Sequence, residues 1–372
     1  MAPSYALTGL APPFRGGIAH YTLHLGSALS GLGSARLFSW VRQYPDLLFP
    51  GTTQHDASPL GLPVEAVRIL DPMRPWTWIE AARLMRDYGT DRLVHQWWHP
   101  WFAPATWALL RMIAAHGIPI TVVCHNLLPH EPVAAAQAAV RTALAPADRI
   151  IVHGRSEAEK ARSWWPRTDV AVHPHPPYHG LAGPSLGRAE ARSRLGLSPD
   201  GPLILFFGYV RAYKGLGDLV EAMAGVVQSV PSARLAAAGE FYEPVDRYEE
   251  QVRRLGLERS VLLRNGYVPN AEVGVWLRAA DLVALPYREA TGSGILPLAR
   301  AAGVPVVSTR VGDLPDLMRE GRDGLLVPPR SAAELARAIT RLLTRPPDRS
   351  AIARAARTQG WSSLARTAVE PG

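Results

Sequence analysis

Residues 287–309 read YREATGSGILPLARAAGVPVVST, and their order places reactive groups where a ligand could meet them. Glu289 leads a loop that closes in Gly292-Ser293-Gly294. Ile295, Leu296 and Leu298 then open an apolar run, which Ala299, Ala301 and Ala302 continue as a small-residue helix. Gly303 ends that helix, and Val304-Pro305-Val306-Val307 reads as the next buried strand. A hydroxyl between two glycines at a helix start aims backbone N–H groups at one spot. Together with the helix dipole they form an anion site. With Glu289 just ahead of it, the ligand such a turn would take is a sugar diphosphate. The plainer alternative is an ordinary strand-to-helix turn with a serine cap.

Strands and helices must alternate to present such a turn, and they do along the whole chain. Residues 5–10 form an apolar run that leads into Gly16-Gly17 and then a helix. Glycines there allow backbone conformations closed to other residues and close approach of a ligand. Strands follow at residues 35–40, 67–70, 120–124, 150–153 and 170–172, and residues 93–102 read as a strand running into an aromatic loop, with helical spacing between the later ones. Ser156 reads as the cap of the helix that runs to Trp164. Residues 173–187, HPHPPYHGLAGPSLG, have no period and read as a linker. A second series begins with the strand 203–207 and the loop Gly208 to Gly215. Leu216, Leu219, Val220, Met223 and Val227 then mark one face of a helix. A strand ends in Gly239-Glu240, another in Gly266-Tyr267-Val268, and a third feeds the opening stretch. Ser331 and Glu334 have capping-box spacing, and a final helix is expected over residues 361–369. This is the pattern of mostly parallel sheets covered by helices, where ligands bind beyond the carboxyl ends of the strands.

With 372 residues, 47% of them hydrophobic, the chain can build two or three cores and does not read as disordered. The formal charge of +8 comes from scattered residues with no Lys/Arg block, which argues against a nucleic-acid tail. One cysteine, Cys124, excludes an intrachain disulfide and points to a reducing compartment. The start, MAPSYALTGLAPPFRGG, does not read as a signal peptide. The uncharged stretches 16–35 and 93–110 are broken by glycine, histidine or proline and read poorly as membrane spans. The expected location is the cytoplasm, with peripheral contact at the inner face of the membrane as an option.

The fragments PFRGGIAHYT, VCHNLLPHE, FFGYVRAYKG, AAAGE, NGYVPNAEV and the 279–318 stretch resemble, in order and spacing, glycosyltransferase family 4. These are retaining enzymes of the GT-B fold, α/β proteins with two Rossmann-like doubly wound domains facing across a cleft. The resemblance implies an acceptor-binding domain over residues 1–180 and a nucleotide-sugar-binding domain over 181–350. Residues 351–372 would form a C-terminal helix packing back toward the first domain. It also implies roles. Arg211 and Lys214 would hold the donor diphosphate and offset the charge of the leaving nucleotide, which fixed cations stabilise as it develops. The family's usual Arg position is Tyr209 here. Glu289 matches the first acid of a paired-glutamate motif, while the second acid is replaced by Pro297, so ribose recognition must differ. Gly292, Ser293 and Gly294 would meet the diphosphate. Gly239 and Glu240 would lie near the same site, and Tyr267 and Val268 would frame the base. Gly16, Gly17 and His125 would face the donor from the first domain.

His125 is expected to position a sugar or the acceptor; as a general base it would suit neutral pH. A satisfied buried histidine is the plain alternative. His130 and Glu131 could belong to an acceptor pocket or serve as caps. Trp97, Trp98, Trp101 and Phe102 could pack a core or offer a stacking face to a sugar or lipid-linked acceptor. No metal is expected, because His95, His99 and His153 lack ligand spacing. No cofactor is expected either, since the nucleotide sugar is a substrate. The function implied is transfer of a hexosyl group to a hydroxyl on a glycan or lipid-linked precursor, as in surface polysaccharide synthesis. The rivals are a nucleotide-sugar 2-epimerase and a non-catalytic nucleotide-sugar-binding protein. A dinucleotide oxidoreductase is disfavoured, because APPFRGGIAH lacks the G-x-G-x-x-G spacing.

Overall fold

The computed structural model describes residues 2–44, 54–56, 65–129, 135–178, 186–357 and 360–370. They form two units, one of residues 2–176 with 360–370, the other of residues 177–357. His130 and Glu131 lie outside the described residues.

The first unit holds a seven-stranded parallel sheet, ordered β3-β2-β1-β4-β5-β6-β7. Its strands are β1 (Ser4–Gly9), β2 (Ser34–Trp40), β3 (Ala66–Leu70), β4 (Arg92–Trp97), β5 (Ile120–Cys124), β6 (Arg149–Val152) and β7 (Asp169–Val172). The crossovers carry α1 (Gly17–Ser30), α2 (Pro75–Asp87), α3 (Ala103–Ala115), α4 (Ala136–Leu144) and α5 (Arg155–Trp164). β5 (ITVVC) and β6 (RIIV) are buried along their whole length, as strands covered on both faces must be. Trp97, Trp98 and Phe102 are core residues, the last two with ring centroids 4.6 Å apart, and Trp101 packs on the same core. The alternative of a sugar-stacking face therefore fails for Trp97, Trp98 and Phe102. α5 starts at Arg155, one residue before Ser156, with Gly154 in the cap position, so Ser156 is a helical residue rather than the cap.

The second unit holds a six-stranded parallel sheet, ordered β10-β9-β8-β11-β12-β13. Its strands are β8 (Leu203–Phe207), β9 (Arg234–Gly239), β10 (Val261–Asn265), β11 (Leu282–Leu285), β12 (Val306–Thr309) and β13 (Gly324–Val327). Its helices are α6 (Arg188–Arg194), α7 (Leu216–Ser229), α8 (Asp246–Arg254), α9 (Asn270–Ala279), α10 (Ile295–Ala301), α11 (Leu314–Leu317), α12 (Ala332–Thr344) and α13 (Arg349–Ala356). α7 buries Leu216, Leu219, Val220, Met223 and Val226 on one stripe. Ser331 does precede α12, but its side chain makes no capping bond, and Glu334 pairs with Arg337 instead. The capping box is not formed, because an ion pair one turn along the exposed face has taken its carboxylate.

Residues 351–372 do not make one helix. α13 packs on α10 in the second unit, and α14 (Trp361–Val369) belongs to the first. α14 is held by Ala368, whose carbonyl accepts from Thr121 Oγ1 at 2.7 Å, and by Thr367, whose carbonyl accepts from Arg149 at 2.6 Å. Among the described residues no helix is long and apolar enough to cross a membrane.

Candidate active site

In the second unit the strand order reverses between β8 and β11. Loops that leave the carboxyl ends of two such strands run to opposite sides and open a crevice, where ligands of doubly wound sheets bind. The loop after β8 carries Arg211 and Lys214, and the loop after β11 carries Glu289 and Gly292-Ser293-Gly294. The sheet thus gathers these residues at one switch point. The strand ends beside them add Gly239, the last residue of β9, with Glu240, and Gly266, Tyr267 and Val268 after β10.

Backbone bonds and missing side chains knit these loops. Gly208 N–H donates to Ala238 at 2.9 Å, Val210 N–H to Glu240 at 2.8 Å, and Gly266 N–H to Gly239 at 3.1 Å. Gly239 has φ 154°, and a Cβ there would lie 2.0 Å from the Gly208 carbonyl oxygen. Glycine at 239 lets two strand ends approach each other. Glu240 is buried. Tyr267 points its hydroxyl at Asn270 Oδ1, 3.4 Å away, at the start of α9.

Lys214 closes a short 3-10 turn over Ala212–Lys214, with its Nζ 5.9 Å from the Tyr287 ring centroid. Burial first, and the Arg211 guanidinium second, lower the Lys214 ammonium to about 8. A cation held under such strain gains when an anion arrives. Arg211 lies 4.6 Å over the ring of Tyr242, which stacks on Tyr209 at 5.2 Å and 25°.

Tyr287 is buried, and desolvation raises its phenol above the ordinary tyrosine range, so it stays neutral. Its hydroxyl lies 3.2 Å from Ser293 Oγ, and Ser293 Oγ accepts from Ile295 N–H at 3.2 Å. α10 is only seven residues long and holds a buried proline at its third position, Pro297. The turn therefore offers a ligand fewer donors than a free helix start. Ser293 satisfies one amide and Pro297 has none. Glu289 is exposed on the loop.

In the first unit Gly16 precedes α1 with φ 102°, a conformation open to glycine, and Gly17 is the first helical residue. His125 follows β5, and its backbone N–H donates to Trp97 at 2.9 Å. His125 Nε2 lies 3.0 Å from Gln96 Oε1, and Gln96 Nε2 donates to Thr22 Oγ1 at 2.7 Å. The His125 ring meets Tyr21 edge-on at 4.5 Å and His153 at 5.6 Å. Tyr21 also contacts His175 at 5.1 Å and Trp361 at 4.8 Å. Burial, reinforced by His153 and His175, holds His125 well below the ordinary histidine value. His125 is thus a neutral, oriented imidazole. His175, read as linker from its proline-rich setting, is built into this cluster. Local sequence does not mark Gln96 or Tyr242, because their partners Thr22, His125 and Arg211 are remote along the chain.

The profile of "Glycosyl transferases group 1" matches residues 201–345, the stretch that carries the second cluster. The D-inositol 3-phosphate glycosyltransferase 1 of Catenulispora acidiphila is 31% identical over 322 residues, 78% of this chain and 76% of that protein. The chain belongs to the group 1 glycosyltransferases. The D-inositol 3-phosphate glycosyltransferase of Streptomyces bingchenggensis is 32% identical over 54% of this chain, which spans about half, 46%, of that relative's length. Among solved structures, sucrose-phosphate synthase from Thermosynechococcus elongatus superposes over 98% of this chain and 97% of its own, with TM-score 0.74 and 21% identity. Anabaena HepE in complex with UDP covers 98% of this chain and 95% of its own, with TM-score 0.68 and 19% identity. The two parallel-sheet α/β units of this group 1 glycosyltransferase are thus the two domains of the GT-B fold. Among its described residues, no three His, Cys, Asp or Glu side chains gather as metal ligands.

Proposed function

We propose that this chain is a retaining glycosyltransferase of family 4. It moves a hexosyl group from a nucleotide-diphosphate sugar to a hydroxyl of a glycan or lipid-linked precursor. The observation that carries the reading is the convergence of Arg211, Lys214 and the Tyr287–Ser293 turn at the switch point of the second sheet. In this reading Lys214 and Arg211 meet the diphosphate, and Tyr287 and Ser293 complete the cradle with neutral hydroxyls. The bond from the anomeric carbon to the diphosphate breaks, and the bond to the acceptor oxygen forms on the same face. The acceptor proton passes to the departing phosphate. Arg211 and Lys214 stabilise the charge that develops there. Glu289 holds the donor sugar, and His125, neutral and fixed by Gln96, positions a sugar or acceptor hydroxyl. The loops after β9 and β10 hold the ribose and base through Gly239, Glu240, Tyr267 and Val268. Gly16 and Gly17 support the donor from the first domain.

UDP-glucose, present in one HepE crystal structure, is the first donor to test, and an inositol phosphate, named in several relatives, the first acceptor beside lipid-linked glycans. The protein would act in the cytoplasm, at the membrane face when its acceptor is lipid-linked, and would need no divalent metal. The test is turnover of labelled nucleotide sugars with and without acceptors, in the presence of EDTA. Acceptor-dependent transfer with retained anomeric configuration is expected, with kcat falling more than about a hundredfold in Glu289→Gln. Nucleotide release independent of any acceptor would favour an epimerase. Binding with no turnover in wild type and Glu289→Gln alike would leave only a binding protein.

A further inference from the structure

The loop after β8 is pinned to the loop after β9 by a two-residue bridge. Val210 N–H donates to Glu240 at 2.8 Å, and Tyr242 N–H donates back to Val210 at 3.0 Å. Val210 is fully buried in the second core, and Phe241 packs against that core. Side chains alternate along extended backbone. Burying Val210 and Phe241 therefore sends Tyr209, Arg211 and Tyr242 to the other side together. There the Tyr242 ring receives the Arg211 guanidinium at 4.6 Å and the Tyr209 ring at 5.2 Å, 25° from parallel. Tyr209 fills the place where the resemblance expects an arginine, and the arginine of this loop, Arg211, lies two residues on.

We propose that Tyr242 is a positioning residue that holds Arg211 for the donor diphosphate, with Tyr209 backing its ring. An arginine at position 209 would project from the loop directly. An arginine at position 211 has a long side chain to order, and a flat aromatic face removes part of that freedom before the ligand arrives. The stack also keeps Arg211 near Lys214, so two cations present themselves together. The specificity consequence concerns the diphosphate and not the base. Tyr242 acts only through Arg211.

This inference rests on the diphosphate reading above, and the experiment separates the two. The full-length protein is titrated with UDP, GDP and ADP to find the one that binds. Tyr242→Ala, Tyr242→Leu, Tyr242→Phe, Arg211→Ala and the Arg211→Ala/Tyr242→Ala double variant are then compared, each with its thermal midpoint. Tyr242→Ala and Tyr242→Leu are expected to weaken binding about fivefold, the worth of one cation–π contact, while Tyr242→Phe stays within about twofold of wild type. On the Arg211→Ala background, Tyr242→Ala should cost nothing further, since neighbours that act through one another are not additive. The pH at which binding declines should rise in Tyr242→Leu, because Arg211 no longer crowds Lys214. Additive losses in the double variant, equal losses in Tyr242→Phe and Tyr242→Leu, or an unmoved pH dependence would overturn the role of Tyr242. Binding that is indifferent to both Arg211→Ala and Lys214→Ala would instead overturn the diphosphate reading itself.

Discussion

The backbone N–H of Arg288 donates to the carbonyl of Tyr213 at 2.7 Å, which ties the loop holding Lys214 to the loop holding Glu289. The Arg288 side chain adds a second tie, with two bonds of 2.8 and 2.6 Å to Asp218 in the first turn of α7. Such bidentate pairs fix geometry as well as adding energy. Arg288→Ala or Asp218→Asn should lower the thermal midpoint by about 2–4 °C and weaken nucleoside diphosphate binding several-fold. Scanning calorimetry beside a binding titration reads both. Unchanged affinity in the two variants would mean that the clamp is structural only.

Lys214 predicts a pH dependence with a definite sign. Its ammonium is lowered to about 8, by burial and then by Arg211. A bound diphosphate favours the charged form and raises that value, so the complex takes up a proton above pH 8. Affinity is therefore full below about pH 8 and declines as pH rises toward the ordinary lysine range, by up to about tenfold per unit. Lys214→Ala should lose this dependence and bind about ten- to a hundredfold more weakly at neutral pH. A wild-type affinity that is flat from pH 7 to 9.5 would contradict the role.

The histidines of the first unit, also lowered by burial, set a limit on the acid side instead. His153 is lowered to about 4 and His175 to about 3, chiefly by burial, and His125 is well below the ordinary value. The unfolded chain binds protons that these rings refuse, so stability is complete above about pH 6.5 and is lost as pH falls toward 4. Thermal midpoints measured from pH 7.5 to 4.5 should drop steadily. The same neutrality predicts no acid limb near pH 6.5 in kcat/KM from His125. Gln96→Leu, which removes the partner 3.0 Å from His125 Nε2, should lower kcat while leaving nucleoside diphosphate binding in place.

Two glycines in the left-handed region separate backbone freedom from close packing. Gly215 has φ 70°, and a Cβ there would sit 2.0 Å from the Pro286 carbonyl oxygen. Gly256 has φ 66° with nothing within 4 Å of such a Cβ. Gly256→Ala should cost only the conformational penalty, about 1 kcal/mol. Gly215→Ala adds a clash between the two site loops and should cost about 3 kcal/mol or more. Urea unfolding compares them. Equal losses would show that the loops yield readily at the switch point.

Much of this arrangement is legible in the residues. The runs LILFF and LVAL announce strands buried on both faces, and the amphipathic spacing from Leu216 announces α7. The segment 361–369 is a helix in the structure as in the sequence. What local pattern hides is competition and distance. Ser331 and Glu334 have the right spacing for a capping box, yet Arg337 takes the carboxylate. Ser293 suggests a ring of open amides, yet it fills one itself, and Pro297 removes another. His175 sits among prolines that suggest a loose linker, while Tyr21, more than a hundred positions earlier, packs against it at 5.1 Å. Tyr242 meets Arg211 only because the Val210–Glu240 bond aligns two loops from different strands.

Lys214 and Arg211 are proposed to hold a nucleotide diphosphate at the switch point of the second sheet. Calorimetric titration at pH 7 with a nucleoside diphosphate and with its parent nucleoside isolates what the two phosphates contribute. The diphosphate should bind far more tightly than the nucleoside, and Lys214→Ala and Arg211→Ala should erase most of that difference without lowering the thermal midpoint. Equal affinity for diphosphate and nucleoside, or a preference untouched by both substitutions, would contradict this role.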